Sequence, residues 1–294
     1  MGFLMEGVLR SIGRRVSLTA ELVAFPHTIF ALPFAFMGML LGAGGWPALR
    51  QVFWITAAMV GARSAAMSFN RIADLKFDSE NPRTRSRPLP SGRLGLGWAV
   101  VVMTFACMLF LLAAWSLNPL CFALSPLALG IVLGYSLTKR FTWLTHLLLG
   151  LGLAVAPVGA WIAVDGPLSI VPVLLASAVL LWTAGFDIIY ACQDVSFDRE
   201  RGLRSIPARF GIARALRIST LLHAGMVAVL VAMAAAAGLG VIFYGGLVIA
   251  AATLWHEHRL VRADDLSRVN MAFFTLNGWI SVVLFLATAL DLFV

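Results

Sequence analysis

The chain carries fourteen Asp and Glu residues, and seven of them fall in two short windows. The first, "NRIADLKFDSENPRTRSRPLPSG", holds Asp74, Asp78 and Glu80. The second, "FDIIYACQDVSFDRE", holds Asp187, Asp194, Asp198 and Glu200. Residues three or four apart share one face of a helix. That spacing predicts one stripe of Arg63, Asn70, Asp74 and Asp78, and another of Asp187, Tyr190, Asp194 and Asp198. Both windows follow apolar runs, so the carboxylates stand at the ends of membrane-length helices. Charge at that depth is costly and belongs in a bundle interior or an aqueous cavity. Facing carboxylates repel unless something neutralises them, and the simplest agent is a hard divalent cation. Oxygen ligands with no Cys and no paired His favour Mg²⁺ over zinc. Mg²⁺ held by a few carboxylates completes its shell with water and phosphate oxygens. The surrounding Lys76, Arg87, Lys139, Arg140 and Arg204 could hold the rest of a diphosphate. The windows therefore read as two halves of a Mg–diphosphate site at the membrane surface.

A single Asp-x-x-x-Asp at a helix end is also what a solvated cap with surface ion pairs looks like. Two matching copies weigh against that reading. "NRIADLKFD" ends at Asp78 and "YACQDVSFD" ends at Asp198, 120 residues further on, and both carry the spacing DxxFD. Each is followed by a loop of Arg and Pro, "TRSRPLPSG" or "LRSIPARFG". Intramembrane Asp residues also serve proton relays. Transporter sites, however, sit near the midplane between interrupted helices, and these stripes end at the interface. A transporter or lipid-handling protein stays open as the alternative.

The elements that position these windows follow from composition. With 61% hydrophobic and 12% charged residues and a mean hydropathy of +0.92, an ordinary soluble domain is excluded. Several continuous segments reach the roughly 20 residues that cross a hydrocarbon core, and none shows the alternation of a β-barrel strand. The expectation is an all-α polytopic membrane protein with nine spans, over about 19–42, 52–77, 97–117, 119–136, 142–164, 167–191, 214–238, 240–256 and 269–292. Four helices separate the two windows, which suggests two weakly repeated four-helix units plus one helix. The loops after even-numbered spans hold the cations, among them Arg83, Arg85, Arg87, Lys139, Arg140, Arg199, Arg204 and Arg259, while only Arg50 falls on the other side. By the positive-inside rule the N-terminus and those loops are cytoplasmic and the C-terminus is outside. The same rule accounts for the net charge of +8 without a nucleic-acid partner, since no basic face with interleaved aromatics is present. Residues 1–18 read as an amphipathic interfacial segment rather than a standard signal peptide, and 19–294 as the transmembrane domain. Cys107, Cys121 and Cys192 form no CxxC or Cys/His cluster and read as packing residues.

Taken together, these motifs resemble the UbiA superfamily of intramembrane prenyltransferases over roughly residues 18–292. The first family motif is matched by "NRIADLKFD", with Arg63 seven residues before Asn70 and "RPLPSG" after it, Arg87 to Gly92. The second is matched by Asp187, Tyr190, Asp194 and Asp198, followed by "GLRS" and "FG"; the YxxxK signature is matched by Tyr135 and Lys139. Arg71 departs from the pattern, standing where many members have an Asp. "NRxxDxxxD", "NPRT" and "HTIFALPFA" look most like a bacterial branch of 4-hydroxybenzoate polyprenyltransferase-like enzymes that also includes futalosine-type menaquinone-pathway members. The motifs do not separate the two acceptors. The resemblance implies a cytoplasmic-membrane enzyme of quinone biosynthesis that binds a polyprenyl diphosphate and an aromatic acid. It implies Mg²⁺ on Asp74, Asp78, Asp194 and Asp198. Asp74, Asp194, Tyr135 and Lys139 would be catalytic, with Asn70, Asp187 and Tyr190 toward substrate. The diphosphate departs, an allylic cation forms, and a ring carbon ortho to the acceptor's hydroxyl attacks. Arg63, deeper on its helix, is the expected partner of the acceptor's carboxylate, and His27 could face the same cavity. A CDP-alcohol phosphotransferase would need DGxxAR after its first Asp pair, which "DLKFDSENP" lacks.

Overall fold

The computed structural model describes residues 13, 15–23 and 30–294. Most of the expected interfacial segment, part of the first expected span and His27 lie outside those residues. The regular structure of the described residues is all helical, joined by turns, with a single isolated bridge between Arg262 and Asp265. A short helix over 15–22, α1, is followed by α2, Leu32–Ala43; α3, Leu49–Ala73; α4, Leu75–Glu80; α5, Leu96–Leu117; and α6, Pro119–Gly134, which runs on as a 3₁₀ turn, Tyr135–Arg140. Then come α7, Thr145–Ala163; α8, Val171–Ala191; a 3₁₀ turn, Cys192–Asp194; α9, Val195–Glu200; and α10, Ile206–Phe210. The chain closes with α11, Ile212–Ala237; α12, Val241–Leu260; α13, Val269–Met271; a π-helical turn, Ala272–Leu276; and α14, Asn277–Phe293.

Seven of the described helices are long and apolar enough to cross a membrane. Within the described residues, two of the expected spans are not among them. The helix α2 has 12 residues, about 18 Å at 1.5 Å per residue. The helix α12 ends in the polar run Trp255-His256-Glu257-His258-Arg259. The helices pack where small residues let backbones meet. A Cβ on Gly61 of α3 would lie 2.8 Å from the Phe110 nitrogen of α5, and one on Gly150 of α7 would lie 2.5 Å from the Leu180 oxygen of α8. The main core joins α2, α8, α11, α12 and α14 through Phe34, Trp182, Met226, Phe243 and Leu284. The outward faces of α5 and α6 stay apolar and bare, as at Phe105 (68% exposed) and Leu127 (63%), as lipid-facing surfaces do.

Asn277 ties three helices, accepting from Trp182 Nε1 at 2.7 Å and donating to Glu257 Oε1 at 3.1 Å. At the other end of the bundle, Asp291 of α14 caps α12. Its carboxylate accepts from the backbone N–H groups of Gly240, Ile242 (3.0 Å) and Phe243 (3.2 Å). A carboxylate there satisfies donors a helix start leaves unpaired.

The expected helix over 52–77 does not run through. It stops at Asp74, whose φ −93° and ψ 9° turn the chain before α4 begins. The second window breaks the same way. Asp194, at φ −103° and ψ 6°, ends a 3₁₀ turn and opens α9. Each break is followed by a six-residue helix, α4 or α9, that carries the second Asp of its window. The predicted stripes are therefore bent, and the bend carries Asp78 and Asp198 inward, where both are buried.

Candidate active site

The two bent windows close on one polar cavity of about 230 Å³. Among the described residues its wall holds five carboxylates, Asp74, Asp78, Asp187, Asp194 and Asp198, and five cations, Arg63, Arg71, Arg83, Arg87 and Lys139. Asn70, Asn81, Tyr135 and Tyr190 also line it. Equal numbers of opposite charges leave the wall near neutral. A cation bound with a phosphate anion enters such a wall with less desolvation cost than either ion alone.

Most of these carboxylates have specific partners. Asp194 takes the fork of Arg83, Nε at 3.0 Å and Nη2 at 2.5 Å, and accepts from Asn81 Nδ2 at 3.2 Å. The same guanidinium donates to the Tyr190 hydroxyl at 2.7 Å. Asp78 accepts from Arg87 Nη1 at 2.9 Å, with Arg71 3.8 Å away. Asp74 lies 3.2 Å from Asn70 Nδ2 and 3.3 Å from Arg140 Nη2. Burial pushes the Asp74 carboxyl up from the ordinary carboxylate range, while Lys139 and Arg140 pull it back. Asp198 accepts from the Ser205 hydroxyl at 2.9 Å, and Asp187 lies 2.6 Å from His146 Nδ1. Lys139 stands in the combined field of Asp198, Asp187, Asp194 and Asp74.

The donor set fits a hard cation: among the described residues the wall carries five carboxylates and no thiol or imidazole. The described residues hold no group of three acidic, His or Cys side chains already converged on one point. Asp194 and Asp78 are instead each paired with a guanidinium, of Arg83 and Arg87.

A second cavity, about 350 Å³ and almost wholly apolar, lies among α3, α5, α6 and α7. Ile55, Met59, Phe110, Leu117, Leu124 and Gly159 are among its walls. Arg63, Tyr135, Leu149 and Leu153 belong to both cavities, so the polar and apolar spaces meet at an Arg–Tyr threshold. Arg63 makes no ion pair among the described residues, and its Nε is buried without a hydrogen-bond partner. It therefore does not spend its charge on a neighbouring Asp.

Most of the residues expected from the sequence meet here, namely Arg63, Asn70, Asp74, Asp78, Arg87, Tyr135, Lys139, Asp187, Tyr190, Asp194 and Asp198. Arg140 stays outside the wall but reaches Asp74 and the Ala73 carbonyl. Two expected cations do not arrive. Lys76 is exposed on the far side of α4 from the buried Asp78, because residues two apart on a helix point to opposite faces. Arg204 is exposed, and its Nη1 donates to the Phe141 carbonyl at 2.6 Å while its backbone N–H donates to the Lys139 carbonyl at 2.7 Å. It braces the 3₁₀ turn rather than lining the cavity. The structure adds Asn81, Arg83, His146 and Ser205 to the set. Arg83 was visible in "NPRT" as one loop cation among several. Nothing local distinguishes it, because its partner Asp194 is 111 residues away.

The chain belongs to the UbiA prenyltransferase family, whose profile matches residues 31–280. It is thus a membrane prenyltransferase. Curated relatives include a 4-hydroxybenzoate octaprenyltransferase of Marinobacter nauticus, 32% identical over 90% of each chain. Another, from Xanthomonas campestris pv. campestris, is 34% identical over 86% of this chain and 83% of its own. Among solved structures, the apo UbiA homolog from Aeropyrum pernix is 37% identical, with a TM-score of 0.83 over 90% of this chain and 98% of its own. The UbiA homolog from Archaeoglobus fulgidus bound to GPP and Mg²⁺ shares the fold, with a TM-score of 0.71 at 18% identity, over 94% of this chain and all of its own.

Proposed function

We propose that the protein transfers a polyprenyl group from an allylic diphosphate to a hydroxybenzoate-type aromatic acid, with Mg²⁺, in the synthesis of ubiquinone or menaquinone. The observation that carries this reading is the threshold at Arg63 and Tyr135, where a charged cavity and an apolar one share their walls. A prenyl diphosphate has that same division, a charged head on a hydrocarbon tail. The relatives named 4-hydroxybenzoate octaprenyltransferase support the acceptor class.

Asp74 and Asp78 from one window and Asp194 and Asp198 from the other would hold Mg²⁺. When bound, the ion would offset the diphosphate's negative charge and ease its departure. Asn70, Arg87 and Lys139 hold the remaining diphosphate oxygens through charge-assisted hydrogen bonds, and Arg140 steadies Asp74. At the threshold, the Tyr135 ring faces the carbon that gains positive charge and stabilises it by a cation–π contact. The apolar cavity excludes water that would otherwise trap the allylic cation. Arg63 takes the acceptor's carboxylate and turns the ring carbon ortho to the hydroxyl toward that cation; once the new C–C bond forms, that carbon loses its proton to the released diphosphate and the ring regains aromaticity.

The topology that suits this chemistry is nine crossings of a bacterial cytoplasmic membrane. Residues 1–18 lie at the interface, the charged cavity opens to the cytoplasm, and the C-terminus is outside. One domain, 19–294, carries the whole site.

The test uses the full chain in nanodiscs with geranyl diphosphate, 4-hydroxybenzoate and Mg²⁺, with mass spectrometry of the product. A prenylated acid is expected with Mg²⁺ and not in excess EDTA. Failure to consume the diphosphate with any phenolic or naphthoic acid would overturn the reading, and undiminished turnover in EDTA would remove the metal from it.

A further inference from the structure

His146 opens α7 with its side chain wholly buried, outside the walls of both cavities. Both of its ring nitrogens are engaged. Nδ1 lies 2.6 Å from Asp187 Oδ2, and Nε2 lies 3.3 Å from the backbone nitrogen of Ile206. A backbone N–H can only donate, so Nε2 must be the bare nitrogen. The ring's one proton then sits on Nδ1 and points at the carboxylate. An imidazolium would set an N–H against the Ile206 N–H, and the other neutral tautomer would oppose like groups at both contacts. The hydrogen-bond network thus assigns one tautomer, an imidazole whose Nδ1–H donates to Asp187 and whose Nε2 accepts from Ile206.

Two consequences follow. Asp187 has one oxygen anchored and keeps a fifth of its side chain exposed, in the wall of the polar cavity. No other hydrogen bond reaches it among the described residues, so its second oxygen remains as an acceptor of set direction. The same imidazole also pins Ile206, next to the Ser205 whose hydroxyl holds Asp198. One side chain therefore registers α7 against α8 and against the turn before α10.

We infer that His146 is a positioning residue that presents the free oxygen of Asp187 to the hydroxyl of the aromatic acceptor. The inference rests on the aromatic prenyl transfer proposed above. Asp187 lies in the electrostatic neighbourhood of Tyr135, which shares the threshold with the unpaired Arg63. An aromatic hydroxy acid would be held at both ends there, its carboxylate by Arg63 and its hydroxyl by Asp187. A hydrogen bond from the hydroxyl to a carboxylate also sends electron density into the ring, toward the ortho carbon that must attack.

The experiment compares His146→Leu and His146→Gln in the full chain, in nanodiscs. A glutamine amide has one acceptor for the Ile206 N–H and one N–H for Asp187, so it can replace both bonds; leucine can replace neither. Three quantities are read on folded protein: KM for prenyl diphosphate, kcat/KM for 4-hydroxybenzoate, and inhibition by benzoate, which lacks the hydroxyl. With His146→Leu, kcat/KM for 4-hydroxybenzoate should fall about thirtyfold, the size expected of one hydrogen bond to a charged group, while benzoate inhibition holds. His146→Gln should stay within about threefold of the wild type in all three. If His146→Leu does not accumulate in the membrane, Asp187→Asn carries the same comparison of hydroxybenzoate with benzoate. Equal losses for the two acids, or a glutamine variant as poor as leucine, would overturn the inference. A wild-type protein that prenylates no aromatic acid would overturn the proposed function, and this inference with it.

Discussion

Filling the far end of the apolar cavity should set a limit on prenyl length. Gly159 lines that cavity on α7, and a Cβ built there meets nothing within 4 Å. The glycine is thus not needed for packing; it leaves space. Gly159 lies about 15 Å along the helix from Leu149, at about 1.5 Å per residue, and Leu149 marks the threshold to the charged cavity. An isoprene unit adds four chain bonds of about 1.5 Å, or about 5 Å of reach, so a tail touches Gly159 at about its third unit. Gly159→Leu brings four side-chain carbons into that space. Displacing about four buried tail carbons at about 0.8 kcal/mol each costs about 3 kcal/mol, on the order of a hundredfold in kcat/KM. Dimethylallyl and geranyl diphosphates stop short and should be used as before, while geranylgeranyl diphosphate should suffer the full loss. Gly152→Leu, about 4.5 Å from Leu149, should already impair geranyl transfer. Leucine suits a helix interior better than glycine by roughly 0.8–1 kcal/mol, so neither variant should melt earlier. The assay is product formation across the diphosphate series, with thermal stability measured in parallel. An equal effect at every length, or no effect on the longest tail, would show that the tail lies elsewhere.

Asp74→Ala and Asp194→Ala should each cut turnover to below about a tenth, a loss of at least about 1.4 kcal/mol, with folded protein still in the membrane. A variant that keeps more activity than that would remove its residue from the metal site. Arg63→Leu should raise the acceptor KM or abolish turnover while diphosphate affinity holds, and Arg63→Lys should rescue poorly because a point charge cannot reproduce the guanidinium fork. Weaker diphosphate binding with the acceptor spared would move Arg63 to the leaving-group site. Reporter fusions at residues 90, 165 and 294 should read cytoplasm, outside and outside; a cytoplasmic signal at 294 would break the nine-crossing topology. Asn277→Leu leaves the Trp182 N–H and the Glu257 carboxyl without their partner and should lower stability by about 1–3 kcal/mol, read as an earlier melt in detergent, and an unchanged melt would mean the network contributes nothing.

The sequence by itself determined the solvent and the reagents. Continuous apolar runs can satisfy their backbone only as helices in lipid. Asp74, Asp78, Asp194 and Asp198 announce themselves because carboxylates are rare and costly beside such runs. Their four-residue spacing placed them on shared faces, since helical period is a local property. Burial, pairing and cavity shape depend on neighbours distant in the chain, and these only the tertiary structure decided. Arg83 became the partner of Asp194, and Arg204 became a brace for the turn at Lys139. The breaks at Asp74 and Asp194 carry no proline or glycine signal, yet they turn Asp78 and Asp198 inward and leave Lys76 outside. His146 carries no local signal, and only the fold sets Asp187 against one of its nitrogens and Ile206 against the other. The apolar cavity is the clearest case. Its glycines and alanines read as ordinary helix-packing residues, and whether a small side chain admits a neighbouring helix or leaves a void depends on what stands opposite. For Gly61 it is the backbone of α5, and for Gly159 it is open space.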